Sequence, residues 1–156
     1  MCSYFQHLDF SAWGGMNVQP NVGDLLPEWS VEVVSAEKMK LLAAILRDPN
    51  PIHWDRAAVE AQGHGTRLIN QGPINLCYVT NMLEQYSGTG SLRSLRARFT
   101  ANVCDGDAVV AGGTVSRVFE DLGKTFVDCT VWLDIRGGVR AVEGVATVEY
   151  SRAARS

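Results

Sequence analysis

The chain has 156 residues, of which 46% are apolar and 20% charged. That is the size of one domain with a core of its own, which excludes long disorder and any need for a disulfide or metal staple. The 14 basic and 17 acidic residues leave a net charge of −3, which excludes whole-surface attraction to nucleic acid.

No apolar run is long enough to span a bilayer, so no membrane partner is expected. The first residues lack a basic flank followed by an apolar run, so they do not read as a secretory signal, and cytoplasm is the expectation. Four cysteines occur, at Cys2, Cys77, Cys104 and Cys129. None forms a C-x-x-C pair and the spacing does not suit zinc. They read as buried free thiols, with no metal and no redox cofactor implied.

Residues 1–20 mix aromatic, glycine and polar residues without a period, and read as an N-terminal arm. Met16 is an alternative start. One domain is expected over 21–152, followed by a short tail at 153–156. Glu28 to Val34 is rich in β-branched residues and predicts a first strand. Ser35 caps a helix through AEKMKLLAAIL, where Met39, Leu42, Ala43 and Leu46 fall at helical spacing. Asp48-Pro49-Asn50-Pro51 stops that helix, because proline cannot continue it.

Asp55 caps a second short helix, DRAAVEAQ, that Gly63 ends. The loop GHGTRLINQG leads to Pro73, which suits a helix start because its missing N–H costs nothing there. The predicted helix runs from Pro73 to Tyr86. Its apolar residues lie on most sides, which predicts a buried helix. Strands follow. Val127, Cys129, Val131, Leu133 and Ile135 alternate with polar residues, and Val142, Ala146, Val148 and Tyr150 repeat the pattern. Turn signals at Asp105-Gly106, Asp121 to Gly123 and Gly137-Gly138 predict antiparallel hairpins with one packed face. The expected fold class is α+β. A curved antiparallel sheet wraps around one long central helix, the arrangement called a hot dog.

One stretch carries a chemical signal. Arg47-Asp48-Pro49-Asn50-Pro51-Ile52-His53 places a carboxylate and an imidazole five positions apart on a loop stiffened by two prolines. Such a pair can grip one water, take a proton from it and deliver a proton elsewhere. The same residue types also build a plain capped turn, and the loop alone does not separate the two. Gln71-Gly72-Pro73 opens the long helix, where unpaired N–H groups and a positive dipole end could hold an oxyanion. An ordinary loop-to-helix turn would look the same.

Asp48, Asn50, Pro51 and His53 match, in order and spacing, the Asp-x-Asn-Pro-x-His loop of the MaoC-like dehydratases, which include the (R)-specific enoyl-CoA hydratases. AAVEAQG…LINQG resembles that family's helix and glycine-bearing loop. SLRSLRARFTANVCDGDAVVAGGTV resembles its strand–turn–strand, with Arg98-Phe99 and Gly106-Asp107 in the expected places. The resemblance covers about Trp29 to Tyr150. It departs from the pattern at Gln71, where a histidine is usual, and at the variable position occupied by Pro49.

The resemblance implies an acyl-thioester hydratase acting in fatty acid or steroid side-chain metabolism. Asp48 and His53 hold the water, Asn50 orients the loop, and the N–H of Gly72 or a neighbour binds the thioester oxygen. It also implies a homodimer or higher homo-oligomer, with a hetero-oligomer as an alternative. The substrate is an acyl-CoA or an acyl-carrier-protein thioester, and coenzyme A enters only as part of the substrate. The alternatives are a hot-dog thioesterase and a non-catalytic partner subunit, which usually lacks the Asp or the His.

Arg67, Arg96 and Arg98, with Arg93 nearby, are candidates for the coenzyme A phosphates, because guanidinium matches phosphate geometry. A solvated strand face is the stronger expectation for the strand arginines. Gln71 is a candidate for contacts to the substrate, and Asn75 and Tyr78 are candidate lining residues of an acyl channel. His64 is expected to be simply exposed, and Trp54 to pack.

Overall fold

A computed structural model describes residues 19–88 and 91–150. The elements in chain order are β1 (Trp29–Val31), α1 (Ala36–Leu46), a 3-10 turn (Pro51–His53), α2 (Arg56–Ala61) and α3 (Gly72–Ser87). They are followed by β2 (Leu92–Phe99), β3 (Val109–Asp121), β4 (Lys124–Ile135) and β5 (Val139–Tyr150). Most of the expected arm lies outside the described residues, as does the expected tail at 153–156.

The five strands form one sheet in the order β1-β3-β4-β5-β2, and all neighbours are antiparallel. Local turn chemistry makes the two long hairpins. Asp121 pairs with Lys124 across Leu122 and Gly123, which both take positive φ (48° and 75°). A two-residue turn of the primed type needs this to match strand twist. Gly137 and Gly138, at φ 113° and 102°, turn β4 into β5.

Alternation then buries one face. Val127, Cys129, Val131 and Leu133 of β4 are buried, as are Ala146 and Val148 of β5. They join Ile74, Val79, Met82 and Leu83 of α3, all buried as well. Helix α3 touches all five strands, so it is the central helix of a hot-dog fold. At roughly 1.5–3 kcal/mol per buried aliphatic side chain, this contact is the main source of stability.

Three expectations are corrected. The Asp105-Gly106 turn does not close a hairpin: β2 pairs with β5, at the edge of the sheet opposite β1. The chain from Thr100 to Ala108 is too long for a tight turn, and its acidic residues are tied instead to the loop before α3. Second, α3 is not buried all round, since Cys77, Asn81 and Gln85 are exposed at successive i, i+4 positions. Third, Cys77 is therefore an exposed thiol, whereas Cys104 is half-buried and Cys129 buried.

Among the described residues, no helix is long and apolar enough to cross a membrane.

Candidate active site

Helix α1 ends where the site begins. Ser35 caps its start, accepting a hydrogen bond from the Lys38 N–H at 3.3 Å. At the other end Arg47 takes the left-handed conformation, φ 53° and ψ 40°. The Arg47 N–H then donates to Ala44 O and the Asp48 N–H to Ala43 O, at 3.2 and 2.9 Å. This double closure satisfies the last carbonyls of the helix and fixes the backbone of Asp48.

The next turns are built by side chains. Asp48 Oδ1 accepts from the Asn50 N–H at 3.0 Å, and Asn50 Oδ1 accepts from the Ile52 N–H at 3.4 Å. Asn50 is thus the cap of the 3-10 turn that carries His53. It is itself exposed. Asp, Asn and two prolines in alternation specify this path, each through its own turn preference.

The His53 ring is buried, with 8% exposure. Its Nδ1 lies 2.6 Å from the carbonyl oxygen of Ile69. A carbonyl only accepts, so Nδ1 carries the proton. In the neutral ring Nε2 is then a bare lone pair. That nitrogen lies 3.3 Å from Asp48 Oδ2, on a side chain that is 28% exposed. Two acceptors this close are reconciled by a proton on one of them, or by a water molecule beside the pair that donates to both. The structure brings Asp48, Asn50 and His53 together, the first two partly open to solvent and the third walled in.

Ile69 is in turn fixed from behind. Its N–H donates to Ile52 O at 3.0 Å, and the Asn70 N–H donates to Val103 O at 2.7 Å. Asp105 closes the loop. Its Oδ1 accepts the Leu68 N–H at 2.6 Å, its own N–H donates to Leu68 O at 2.9 Å, and its carboxylate pairs with Arg56. The Arg56 guanidinium also donates to Thr66 O at 3.0 Å.

Three residues beyond Ile69, Gly72 opens α3. The two Cα atoms are at most about 11 Å apart, given the reach of an extended chain. Among the described residues, no acceptor pairs with the Gly72 N–H, whereas Ile74 and Asn75 both donate to Gln71 O. A Cβ added to Gly72 would stand 3.1 Å from the Phe99 ring, a tight fit against β2 that glycine avoids. This is the geometry of an available helix-start donor.

The other predicted residues lie elsewhere in the same frame. Gln71 is fully buried, and its Nε2 donates to Met39 O at 3.0 Å, tying α3 to α1. Asn75 is buried, and its Oδ1 accepts from Asn70 Nδ2 at 2.7 Å. Arg67 is exposed and paired with Asp107, which holds its guanidinium pKa up. Arg98 pairs across the sheet with Glu143, and Arg93 with Glu149. Arg96 is exposed on the β2 edge, His64 is exposed, and Trp54 is half-exposed.

A cavity of about 380 Å³ is lined by residues of α1, β1 and α3, Leu46 and Pro73 among them, while Asp48, His53 and Gly72 do not line it. Its size falls within the range of small-molecule sites. Ile69, Asn70 and Asp105 escaped the sequence reading. A backbone carbonyl has no side-chain signature, and an amide or carboxylate in a loop looks like any turn former.

The sheet wound on one long helix, with this loop beside it, defines a hot-dog-fold domain. The chain belongs to the MaoC-like family: the family model described as MaoC like domain matches residues 25–131. No curated protein matches the sequence. Among solved structures, the chain is similar to the (R)-hydratase from A. caviae involved in PHA biosynthesis, with 28% identity and a TM-score of 0.75 over 84% of this chain and 97% of that one. The R-hydratase PhaJ1 from Pseudomonas aeruginosa is 24% identical with a TM-score of 0.71, over 85% and 83%. A chain of the ChsH1-ChsH2 complex from Mycobacterium tuberculosis is 19% identical with a TM-score of 0.74, over 85% and 100%. The last two likenesses speak for the fold alone.

Proposed function

We propose that the protein catalyses reversible hydration of a trans-2-enoyl thioester, carried by coenzyme A, to the 3-hydroxyacyl thioester. The observation that carries this reading is the orientation of His53. Its Nδ1 is committed to Ile69 O, and its Nε2 faces Asp48 Oδ2 across 3.3 Å. One water bridging those two acceptors has its oxygen lone pairs turned toward a ligand.

In the hydration direction, the water oxygen bonds to C3 as its proton passes to the Asp48/His53 pair. The C2–C3 π electrons shift toward the thioester, and a proton from the pair completes C2. The Gly72 N–H carries the charge that builds on the thioester oxygen. Such a donor is worth several kcal/mol only if it is placed before the reaction, as a helix start does. Asn50 holds the loop, and the cavity behind Pro73 takes the acyl chain.

A homo-oligomer is the proposed working form, since β2 leaves an edge carrying Arg96 and a half-exposed Phe99. A hetero-oligomer is the alternative, given the complex from which the mycobacterial neighbour comes.

The test is a panel of trans-2-enoyl-CoA esters and matching saturated acyl-CoAs. Loss of enoyl-thioester absorbance with a mass gain of one water supports the hydratase. Free thiol released from the saturated esters, with no hydration, establishes a thioesterase and overturns the proposal.

A further inference from the structure

We propose that Gln71 is a positioning residue: its side chain sets the spacing between Asp48, carried by the end of α1, and the Gly72 N–H at the start of α3. This rests on the hydratase reading above.

Helix α1 is lightly held. Met39 and Ala43 are its buried residues, while Leu41, Ile45 and Leu46 are exposed. Among the described residues, only one hydrogen bond joins Ala36–Leu46 to anything other than its flanking Ser35, Arg47 and Asp48. It runs from Gln71 Nε2 to Met39 O at 3.0 Å. Both residues are buried, at 0% and 1% exposure, so no water competes for this bond.

The bond lies on a short path between the two proposed halves of the site. Gln71 is the N-cap of α3, and its backbone oxygen accepts from the Ile74 and Asn75 N–H groups at 3.0 and 3.2 Å. Its side chain makes no capping bond to its own helix and reaches α1 instead. Gly72 follows it directly. On the other side, one helical turn leads from Met39 to Ala43, whose carbonyl accepts from the Asp48 N–H at 2.9 Å.

Stability alone does not account for an amide here. Gln71 Oε1 is buried and has no hydrogen-bond partner. An unpaired buried acceptor is destabilising, and an apolar side chain of similar length avoids that cost. What the apolar side chain lacks is the donor that fixes α1 against α3.

The experiment measures kcat, KM and denaturant unfolding for the wild type, Gln71→Met and Gln71→Glu. The substrate is the trans-2-enoyl-CoA of the panel above that the wild type hydrates fastest. Gln71→Met keeps the length and removes both amide atoms, and Met39 O keeps its partner within the helix. This variant should be at least as stable as the wild type, with KM little changed. Its kcat should fall roughly tenfold to a hundredfold, the effect of a displacement of about 1 Å on a reacting geometry. In Gln71→Glu the carboxyl can donate to Met39 O only while protonated. Its kcat relative to the wild type should therefore rise as pH is lowered, while the Gln71→Met ratio stays flat. Wild-type kcat in folded Gln71→Met, or a loss of stability without a loss of kcat, overturns this inference alone. If Gln71→Met does not fold, a Gln71→Glu ratio indifferent to pH overturns it. If the wild type hydrates no member of the panel, the hydratase reading falls and this inference with it.

Discussion

Asp48 and His53 face each other through Oδ2 and Nε2 at 3.3 Å, while the opposite nitrogen of the same ring is bound to Ile69 O at 2.6 Å. The second contact decides what the first can do. With the proton fixed on Nδ1, neutral His53 can only accept at Nε2, so the pair is organised around a hydrogen that neither owns.

This fixes a tautomer that can be read directly. In long-range proton–nitrogen NMR spectra of the neutral ring, His53 should show Nδ1 protonated and Nε2 bare. The reverse pattern would break the link between Ile69 and the site.

Asp105 is expected to act on the site from a distance, because it pins the loop that carries Ile69. Asp105→Ala removes the acceptor of the Leu68 N–H and the partner of Arg56. Loss of a largely buried acceptor should cost roughly 1–3 kcal/mol in denaturant unfolding. Turnover should fall with it, and Asp105→Asn should recover part of both, because its Oδ1 can still accept from Leu68. Wild-type stability and turnover in Asp105→Ala would show that the clamp is idle.

Cys129 gives a pH prediction. Burial, then the negative charge of Asp128, pushes its thiol pKa up to about 12 from the ordinary value of 9.0. The folded pKa lies above the unfolded one. Its contribution to stability is therefore complete below pH 9.0 and is lost as pH rises toward about 12. Thermal stability should fall over that window, and Cys129→Ala should flatten the slope. At pH near 8, an alkylating reagent should label exposed Cys77 in the native protein and reach Cys129 only after unfolding.

How far the sequence spoke for itself depended on the range of the interaction. Helix α1 was legible to the residue, because Ser35, the apolar spacing and the prolines after Asp48 are all local signals. The grouping of Asp48, Asn50 and His53 was legible because their own side chains build the turn. The pairing of β2 with β5 was not: Asp105-Gly106 has the composition of a hairpin turn. Its fate is decided by Arg56 and Leu68, 49 and 37 positions earlier. Cys77 looked buried because α3 is apolar in sequence, and only the packed sheet shows which face is left over. Gln71 looked like a substrate contact at the start of the long helix. Its burial follows from the Met39 carbonyl it reaches on another helix.

The proposed roles of Asp48 and His53 are tested most directly by a double-mutant comparison of Asp48→Asn, His53→Gln and both together, with an enoyl-CoA the wild type hydrates. Each single variant should fold and lose roughly a hundred- to ten-thousand-fold in turnover. In the proposed reaction both groups act on one water, so the double variant should be no slower than the worse single one, as for residues that work as a unit. Near-normal turnover in either single variant, or losses that multiply in the double, would contradict those roles.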